Sequence, residues 1–192
     1  MRAVVLVFAA LAIAGCGGER QDEDEPRGEF TLDVVEASFP KRQTLAEQST
    51  MRIAVRNTDD REVPNLAVTV RTKPAEAGQA AVAFAQSSDD PRLADAARPV
   101  WVLDSGPEGG TTAFTNTWAV GPMFPGQTVE LEWRLTAVKA GAYTVDYSVS
   151  PGLHGKAVPA NGQRTTGSFD VTISSAPVPA TVNGKGDIVR GD

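Results

Sequence analysis

From residue 29 to residue 174, hydrophobic and polar residues alternate along much of the chain. Alternation with a period of two puts successive side chains on opposite faces of a strand, so it predicts half-buried β-strands. About eight to ten such runs are separated by turn signals, and strands do not alternate with helices, so a parallel sheet is not expected. The pattern predicts an all-β fold of two antiparallel sheets packed face to face.

The alternation also predicts which residues face the core. In the clearest run, residues 128–137, the inward positions are Val129, Leu131, Trp133 and Leu135. The other inward sets are Phe30, Leu32 and Val34; Met51, Ile53 and Val55; Leu66, Val68 and Val70; Tyr143, Val145, Tyr147 and Val149; and Phe169, Val171 and Ile173. The polar segment 57–62 predicts a turn that joins the runs on either side of it as adjacent antiparallel strands. Residues 112–120 predict one further strand, with Phe114, Asn116 and Trp118 on one face.

Residues 73–113 form a long insert with a less regular pattern. Within it, residues 79–86 and 99–104 each predict a short strand. Residues 87–99 predict one short helix, with Asp90 as the N-cap, Pro91 at the first helical position and Pro99 beyond the end. After the alternating region, residues 175–192 are a C-terminal extension, which forms either a small hairpin at Asn183-Gly184 or a loose terminus.

The first fifteen residues carry a targeting pattern. Arg2 is followed by an apolar run from Ala3 to Gly15. A helix of that length spans roughly 20 Å, which is too short to cross the ~30 Å hydrocarbon core of a membrane. A charged start, a short apolar run and small residues at its end are typical of a secretory signal peptide.

The residues Ile13-Ala14-Gly15-Cys16 resemble the signal of bacterial lipoproteins, in which an aliphatic and two small residues precede a cysteine. In that family the cysteine thiol receives a diacylglyceryl group, and the peptide is cut just before it. The resemblance implies that residues 1–15 are a signal peptide, that Cys16 is the lipidation site, and that the protein is exported and anchored to the outer face of the cell membrane. The next residue, Gly17, is not the Asp that would favour retention at an inner membrane.

Composition limits the partners of such a chain. Removing residues 1–15 from 192 leaves 177 residues, and the loss of Arg2 leaves 17 basic against 24 acidic residues, a net charge of −7. This surplus argues against nucleic acid and against electrostatic binding to a membrane surface. Residues 16–28 contain five acidic residues and no large apolar one, which predicts a flexible acidic tether of roughly 40 Å when extended.

The segment Ala140–Tyr147 resembles the tyrosine corner of immunoglobulin-like sandwiches, with Tyr143 as the corner tyrosine. In addition, Asn57 after one strand and Pro125-Gly126 before a later one resemble the bacterial Ig-like domains of extracellular and adhesion proteins. The resemblance covers residues 29–174 and implies an immunoglobulin-like antiparallel β-sandwich. It makes residues 125–136 strand E and 167–174 strand G. The insert at 73–113 is longer than in a minimal domain of this type, which leaves the strand order open.

Candidate catalytic and metal-binding residues are few. The single histidine, His154, lies in a glycine-flanked loop with no nucleophile-elbow pattern nearby, and we expect it to be exposed. One histidine and one acylated cysteine do not form an ordinary zinc site. Asp59-Asp60 and Asp89-Asp90 lie in turns, but no Asp-x-Asp-x-Asp-Gly loop indicates calcium. The sequence therefore assigns no catalytic, cofactor or metal residue, although it cannot show how far apart paired carboxylates lie.

Two hypotheses about function follow. The preferred one is a lipid-anchored, extracytoplasmic, non-catalytic binding, spacer or accessory module, with another envelope protein or a cell-wall polymer as its partner. The alternative is a surface ligand-binding protein or hydrolytic enzyme with a site on the 73–113 insert. The loops 105–110 and 152–157, the second carrying Lys156, are the candidate binding loops. Trp133 is expected in the core, whereas Trp101 and Trp118 belong either to the core or to a ligand surface.

Overall fold

The computed structural model describes residues 25–74, 84–86, 99–114, 116–176, 180–182, 184 and 188–190. Over these ranges the chain forms fifteen strands. They are β1 (Gly28–Phe30), β2 (Leu32–Ser38), β3 (Arg42–Thr44), β4 (Gln48–Asn57), β5 (Val63–Pro74), β6 (Phe84–Gln86), β7 (Trp101–Ser105), β8 (Thr111–Phe114), β9 (Thr117–Met123), β10 (Thr128–Ala137), β11 (Gly141–Ser150), β12 (Ala157–Pro159), β13 (Thr166–Ser174), β14 (Ala180–Val182) and β15 (Ile188–Arg190). None of the described residues belongs to a helix long and apolar enough to span a membrane.

Two larger sheets form the domain. Sheet I has the strand order β2-β4-β10-β7-β6, and sheet II has the order β3-β13-β11-β5-β9-β8. Two short pairs, β1 with β12 and β14 with β15, lie outside them. The long neighbouring strands pair antiparallel, and the hydrophobic faces of both sheets contribute to a single buried cluster. The predicted all-β sandwich is therefore confirmed.

The core consists of the inward faces that the alternation predicts. In β10, Leu131, Trp133 and Leu135 have no exposed surface, while the intervening charged residues face solvent. The same holds for the inward residues of β4 and β5. All three tryptophans lie in the core, with exposures of 0% for Trp101 and Trp133 and 4% for Trp118. Trp101 and Trp118 are thus core residues rather than part of a ligand surface.

The segment 57–62 does not join neighbouring strands, so that prediction is wrong. β4 pairs with β2 and β10 in sheet I, whereas β5 pairs with β11 and β9 in sheet II. Alternation fixes which side of a strand is buried, but it does not fix the neighbour with which the strand pairs. The turn crosses between the sheets, and the fully buried side chain of Asn57 stabilises it by donating to the carbonyls of Arg61 and Met123 at 3.0 and 2.9 Å.

Residues 112–120 form two strands rather than the single strand predicted. β8 and β9 pair with each other as a tight antiparallel hairpin. Asn116 lies between them with a φ of 64°, in the left-handed region that asparagine tolerates better than most residues. The chain reverses direction at Asn116, so the residues before and after it do not share one strand face.

The pairing resembles an immunoglobulin-like arrangement with one rearrangement. Sheet I contains β2, β4, β10 and β7 in the order of strands A, B, E and D, and sheet II contains β13, β11, β5 and β9 in the order G, F, C and C′. In the chain, however, β7 precedes β9, so the strand beside E comes before the strand beside C. The long insert thus supplies strands to both sheets and changes the strand order.

The tyrosine corner is present at the start of β11. The Tyr143 hydroxyl donates to the carbonyl of Ala140 at 3.0 Å, three residues upstream. Gly141 has a φ of 147°, and a Cβ there would lie 2.8 Å from that hydroxyl. The predicted role of Tyr143 is confirmed, and the close approach of its hydroxyl explains the glycine.

Other predicted elements are described only in part. Of the strand predicted over residues 79–86, Phe84–Gln86 is described as β6, which pairs parallel with β7. The predicted helix over residues 87–99 lies outside the described residues, apart from Pro99. β14 and β15 pair antiparallel, which agrees with the predicted hairpin. Its turn residue Asn183 lies outside the described residues.

The corner hydrogen bond gives a matched pair of variants. Tyr143→Phe removes the bond to Ala140, and we expect it to lower the free energy of unfolding by about 1 kcal/mol. In the same strand, Tyr147 makes no hydrogen bond through its hydroxyl to any described residue, so Tyr147→Phe should change the free energy by less than about 0.5 kcal/mol. Urea unfolding followed by tryptophan fluorescence measures both. Equal effects of the two variants would contradict the assignment of the corner.

Candidate functional site

The candidate loop at 152–157 binds a carboxylate of the same chain. The backbone N–H of Leu153 donates to one oxygen of Glu25 at 2.8 Å, and the N–H of Ala157 donates to the other at 2.9 Å. The carboxylate lies against Gly152, where a Cβ would overlap it. Glu25 belongs to the segment expected to be the tether, yet its side chain is held by the domain.

The residues after Glu25 continue this contact as a strand. β1 pairs parallel with β12, and the Gly28 N–H donates to the Lys156 carbonyl at 3.1 Å. The carbonyl of Phe30 accepts from the Ala160 N–H at 2.8 Å. The Phe30 ring is 4% exposed and is covered by the guanidinium of Arg61, 4.6 Å from its centroid. The N-terminal segment is therefore attached to the sandwich from Glu25 onward.

An acidic residue of the 57–62 turn holds the same segment. The carboxylate of Asp59, 8% exposed, accepts from the Thr31 N–H and from Arg61 Nε, both at 3.0 Å. The hydrogen bond with the Arg61 guanidinium, aided by backbone N–H groups, holds the pKa of Asp59 far below its usual range. Asp60 beside it is 97% exposed at its side chain. Asp59 thus acts within the chain, as a link between the turn and Thr31, the residue between β1 and β2.

The loop 105–110 borders a shallow depression on the outer face of sheet I. The depression has a volume of about 520 Å³, and its lining consists of Ser105, Gly106, Glu108, Glu130, Glu132 and Arg134. Glu132 accepts from Arg52 Nε at 3.1 Å and from Arg134 Nε at 3.2 Å. Both hydrogen bonds lower the pKa of Glu132, and the bond from Arg134 has the larger effect. Because a general acid needs a raised pKa, Glu132 is suited to ion pairing rather than to proton donation.

A second depression, of about 340 Å³, lies on the outer face of sheet II. The hydroxyl side chains of Thr69, Ser148, Thr166 and Ser168 border it. Lys73 pairs with Asp146 in the same depression. The depression is open to solvent, and Arg71 adds a second cation to its lining.

The structure does not bring the two predicted binding loops together. The loop 105–110 lines the depression on sheet I, while residues 152–157 bind Glu25 and border β1. His154 is exposed, as expected. Cys16 and Asp89-Asp90 lie outside the described residues. Among the residues that are described, no group of three or more His, Cys, Asp or Glu side chains could hold a metal ion.

The sequence reasoning missed Glu25 and Gly152. Glu25 was one of five acidic residues in a segment without apolar residues, and its partners lie 128 and 132 residues away. Gly152 entered the sequence analysis only as one of the glycines that flank His154. The one signal in the sequence was the presence of two glycines in the loop, Gly152 and Gly155. In the structure, Gly155 has a φ of 72°, whereas the backbone of Gly152 is not left-handed.

No protein-family model matches the chain, and no curated protein matches its sequence. Among solved structures, the CARDB domain of a Pyrococcus furiosus protein in complex with di-metal ions is 17% identical, with a TM-score of 0.48, over 78% of this chain and 98% of that one. Alpha-2-macroglobulin from Escherichia coli, from domain MG7 to its C-terminus, is 15% identical, with a TM-score of 0.45, over 79% of this chain and 18% of that one. A beta-glucosidase from Listeria innocua is 16% identical, with a TM-score of 0.41, over 77% and 16%. At these values the fold assignment rests on the strand pairing above, and we draw no functional conclusion from the likeness.

The lowered pKa of Asp59 predicts a pH-dependent contribution to stability. In the unfolded chain the pKa of an aspartate is about 3.9, and above that pH ionised Asp59 stabilises the fold fully. This stabilisation is lost as the pH falls toward the pKa of Asp59 in the folded protein. Asp59→Asn should therefore lower the free energy of unfolding by about 1–3 kcal/mol at neutral pH. The difference from the unmodified protein should shrink as the pH falls below about 4.

The matched control is Asp60→Asn, which removes an exposed neighbouring charge. It should change the free energy by less than about 0.5 kcal/mol. Urea unfolding at a series of pH values measures both variants. An Asp59→Asn effect that is constant between pH 7 and pH 2, or equal to that of Asp60→Asn, would show that the carboxylate does not hold β2 to the turn.

Proposed function

We propose that the protein is an exported lipoprotein, anchored through Cys16 to the outer face of the cell membrane, whose sandwich serves as a non-catalytic binding or accessory module. The observation that carries the proposal is Ile13-Ala14-Gly15-Cys16 directly after a short apolar run. Two or three acyl chains anchor a protein stably, at about 0.8 kcal/mol for each buried methylene. The net charge of −7 after removal of residues 1–15 means that the lipid, not surface charge, supplies membrane affinity.

The described part of the domain supports binding rather than catalysis. The space between the sheets is filled by side chains, including Trp101, Trp118 and Trp133. The two depressions lie on outer sheet faces and are open to solvent. Catalytic sites are usually concave and depend on groups with shifted pKa values suited to proton transfer. The pKa of Glu132 is lowered, whereas a general acid needs a raised pKa.

The depression on sheet I is the place where the alternative function would act. Ser105, Gly106 and Glu108 come from the 73–113 insert, and β10 supplies the rest of the lining. Its carboxylates and guanidinium suit a polar partner, such as a segment of another envelope protein or a cell-wall polymer. The ion pairs of Glu132 with Arg52 and Arg134 favour binding over hydrolysis at this face.

Replacing the acylated residue tests the anchor. Cys16→Ser removes the only thiol, so the chain should take up no labelled fatty acid and should remain as the longer, uncleaved precursor. After extraction with a detergent that separates into two phases, the wild-type protein, which carries Cys16, should enter the detergent phase. The variant should show no label and should not be converted to the shorter, processed form.

Gly18→Ala provides the control, because it changes a small residue just beyond the predicted signal and leaves Cys16 in place. It should be labelled and processed like the unmodified protein. Label incorporation into Cys16→Ser would refute the proposed lipid anchor. The absence of label from the wild-type protein would refute it as well.

A further inference from the structure

We propose that residues 151–157 form a carboxylate-binding loop that is occupied by Glu25 of the same chain. Together with the β1–β12 pair, this loop clamps the N-terminal segment to one end of the sandwich. The ligand class is a carboxylate side chain on an extended backbone that continues as a parallel strand beside β12. The orientation toward a membrane, argued below, rests on the proposed lipid anchor, whereas the clamp itself does not.

Two backbone donors converge on the one carboxylate. The Leu153 N–H binds one oxygen at 2.8 Å and the Ala157 N–H binds the other at 2.9 Å. Hydrogen bonds to a charged acceptor are stronger than those between neutral groups. Two backbone N–H groups of one loop, four residues apart, thus hold one anion, and that anion is part of the same chain.

Gly152 indicates that the loop is shaped for this anion. A Cβ at residue 152 would overlap the Glu25 carboxylate, and it would also lie 3.0 Å from the Cβ of Ala157. The backbone at Gly152 is not left-handed, in contrast to Gly155 with its φ of 72°. Space for the carboxylate, rather than backbone conformation, therefore accounts for the glycine at 152.

The contacts continue from Glu25 into the domain. β1 begins three residues later and pairs with β12, whose first residue, Ala157, is the last residue of the loop. Phe30 is buried at the end of β1, and Arg61 covers its ring. The guanidinium of Arg61 also donates to the carbonyl of Glu29. A side chain, a strand pair and a buried ring thus hold one six-residue segment.

The clamp begins at Glu25, nearer to Cys16 than residue 28, where the predicted tether ends. Between Cys16 and Glu25 there are eight residues, 17–24, which reach roughly 30 Å when fully extended, rather than the roughly 40 Å of twelve residues. The loop 151–157 follows the end of β11, whereas the tyrosine corner lies at the start of β11. Ten strand residues separate those ends by roughly 30 Å. With the lipid on Cys16, the clamp end faces the membrane and the tyrosine-corner end points away from it.

The exposed turn at residues 124–127 lies at the clamp end. The N–H of Gly126 donates to the carbonyl of Asn57 at 3.0 Å. This bond places the turn beside the end of β4, at the same end of the sandwich as the clamp. Phe124 in this turn is 63% exposed. The proposed orientation places that ring on the side of the lipid headgroups.

Hydrogen exchange of the full chain tests the clamp. In Glu25→Ala, both donors lose their acceptor, so the Leu153 and Ala157 amides should exchange at least about tenfold faster than in the unmodified protein. The matched control is Glu29→Ala, which removes an acidic side chain four residues later on the exposed side of β1. It should leave both amides unchanged. In both variants the amide of Val145, in the core strand β11, reports that the sandwich remains folded.

Equal exchange of Leu153 and Ala157 in Glu25→Ala and in the unmodified protein would overturn the clamp. Protection that appears only in a dimer, and is lost on dilution, would overturn it as well, because Glu25 would then come from a second copy. The same measurement on Cys16→Ser separates this proposal from the lipid anchor. Protection retained in that variant, whatever its membrane behaviour, shows that the clamp does not depend on acylation.

Discussion

The contact between the inner faces of the two sheets is the interaction on which the rest of the structure depends. The only cysteine is Cys16, outside the sandwich, so no disulfide joins the sheets. Aromatic pairs cross between them instead: Trp133 of sheet I meets Trp118 of sheet II with centroids 5.5 Å apart, and Trp101 meets Tyr143 at 5.7 Å. Each such pair contributes about 0.5–1.5 kcal/mol beyond the burial of its area. The polar atom of Trp101 is satisfied as well, because its indole N–H donates to the buried side chain of Gln43 at 2.7 Å.

At the end of the sandwich where the N-terminal segment enters, polar side chains bound to backbone groups add to the hydrophobic contact of residues such as Phe30. Asn57 joins the end of β4 to the end of β9, Asp59 joins the following turn to Thr31, and Glu25 joins the N-terminal segment to the loop after β11. Each of these bonds spans a long stretch of sequence. This end is therefore fixed by side-chain acceptors and donors, which suits a domain that would be held from this side by a lipid anchor.

The sequence could predict the buried face of nearly every long strand, because a period of two determines which side chains point inward whatever the strand pairs with. It could not predict the partners, since pairing depends on contacts between distant residues; β4 and β5 therefore fell in different sheets despite the turn between them. Asn116 gave no signal strong enough to divide residues 112–120, although asparagine tolerates the φ of 64° found there. Glu25 was hidden among similar acidic residues, because only its distant backbone partners distinguish it.

We propose that the N-terminal segment holds this domain to a membrane, with the clamp end toward the membrane. The most direct measurement uses acylated protein in vesicles, with one fluorescent label on an added cysteine, quenched by a group attached to lipid headgroups. Asn161→Cys places the label near the clamp end, and Lys139→Cys places it at the tyrosine-corner end; both residues are exposed. The account predicts clearly stronger quenching at residue 161 than at residue 139. Equal quenching at the two positions, or stronger quenching at residue 139, would contradict it.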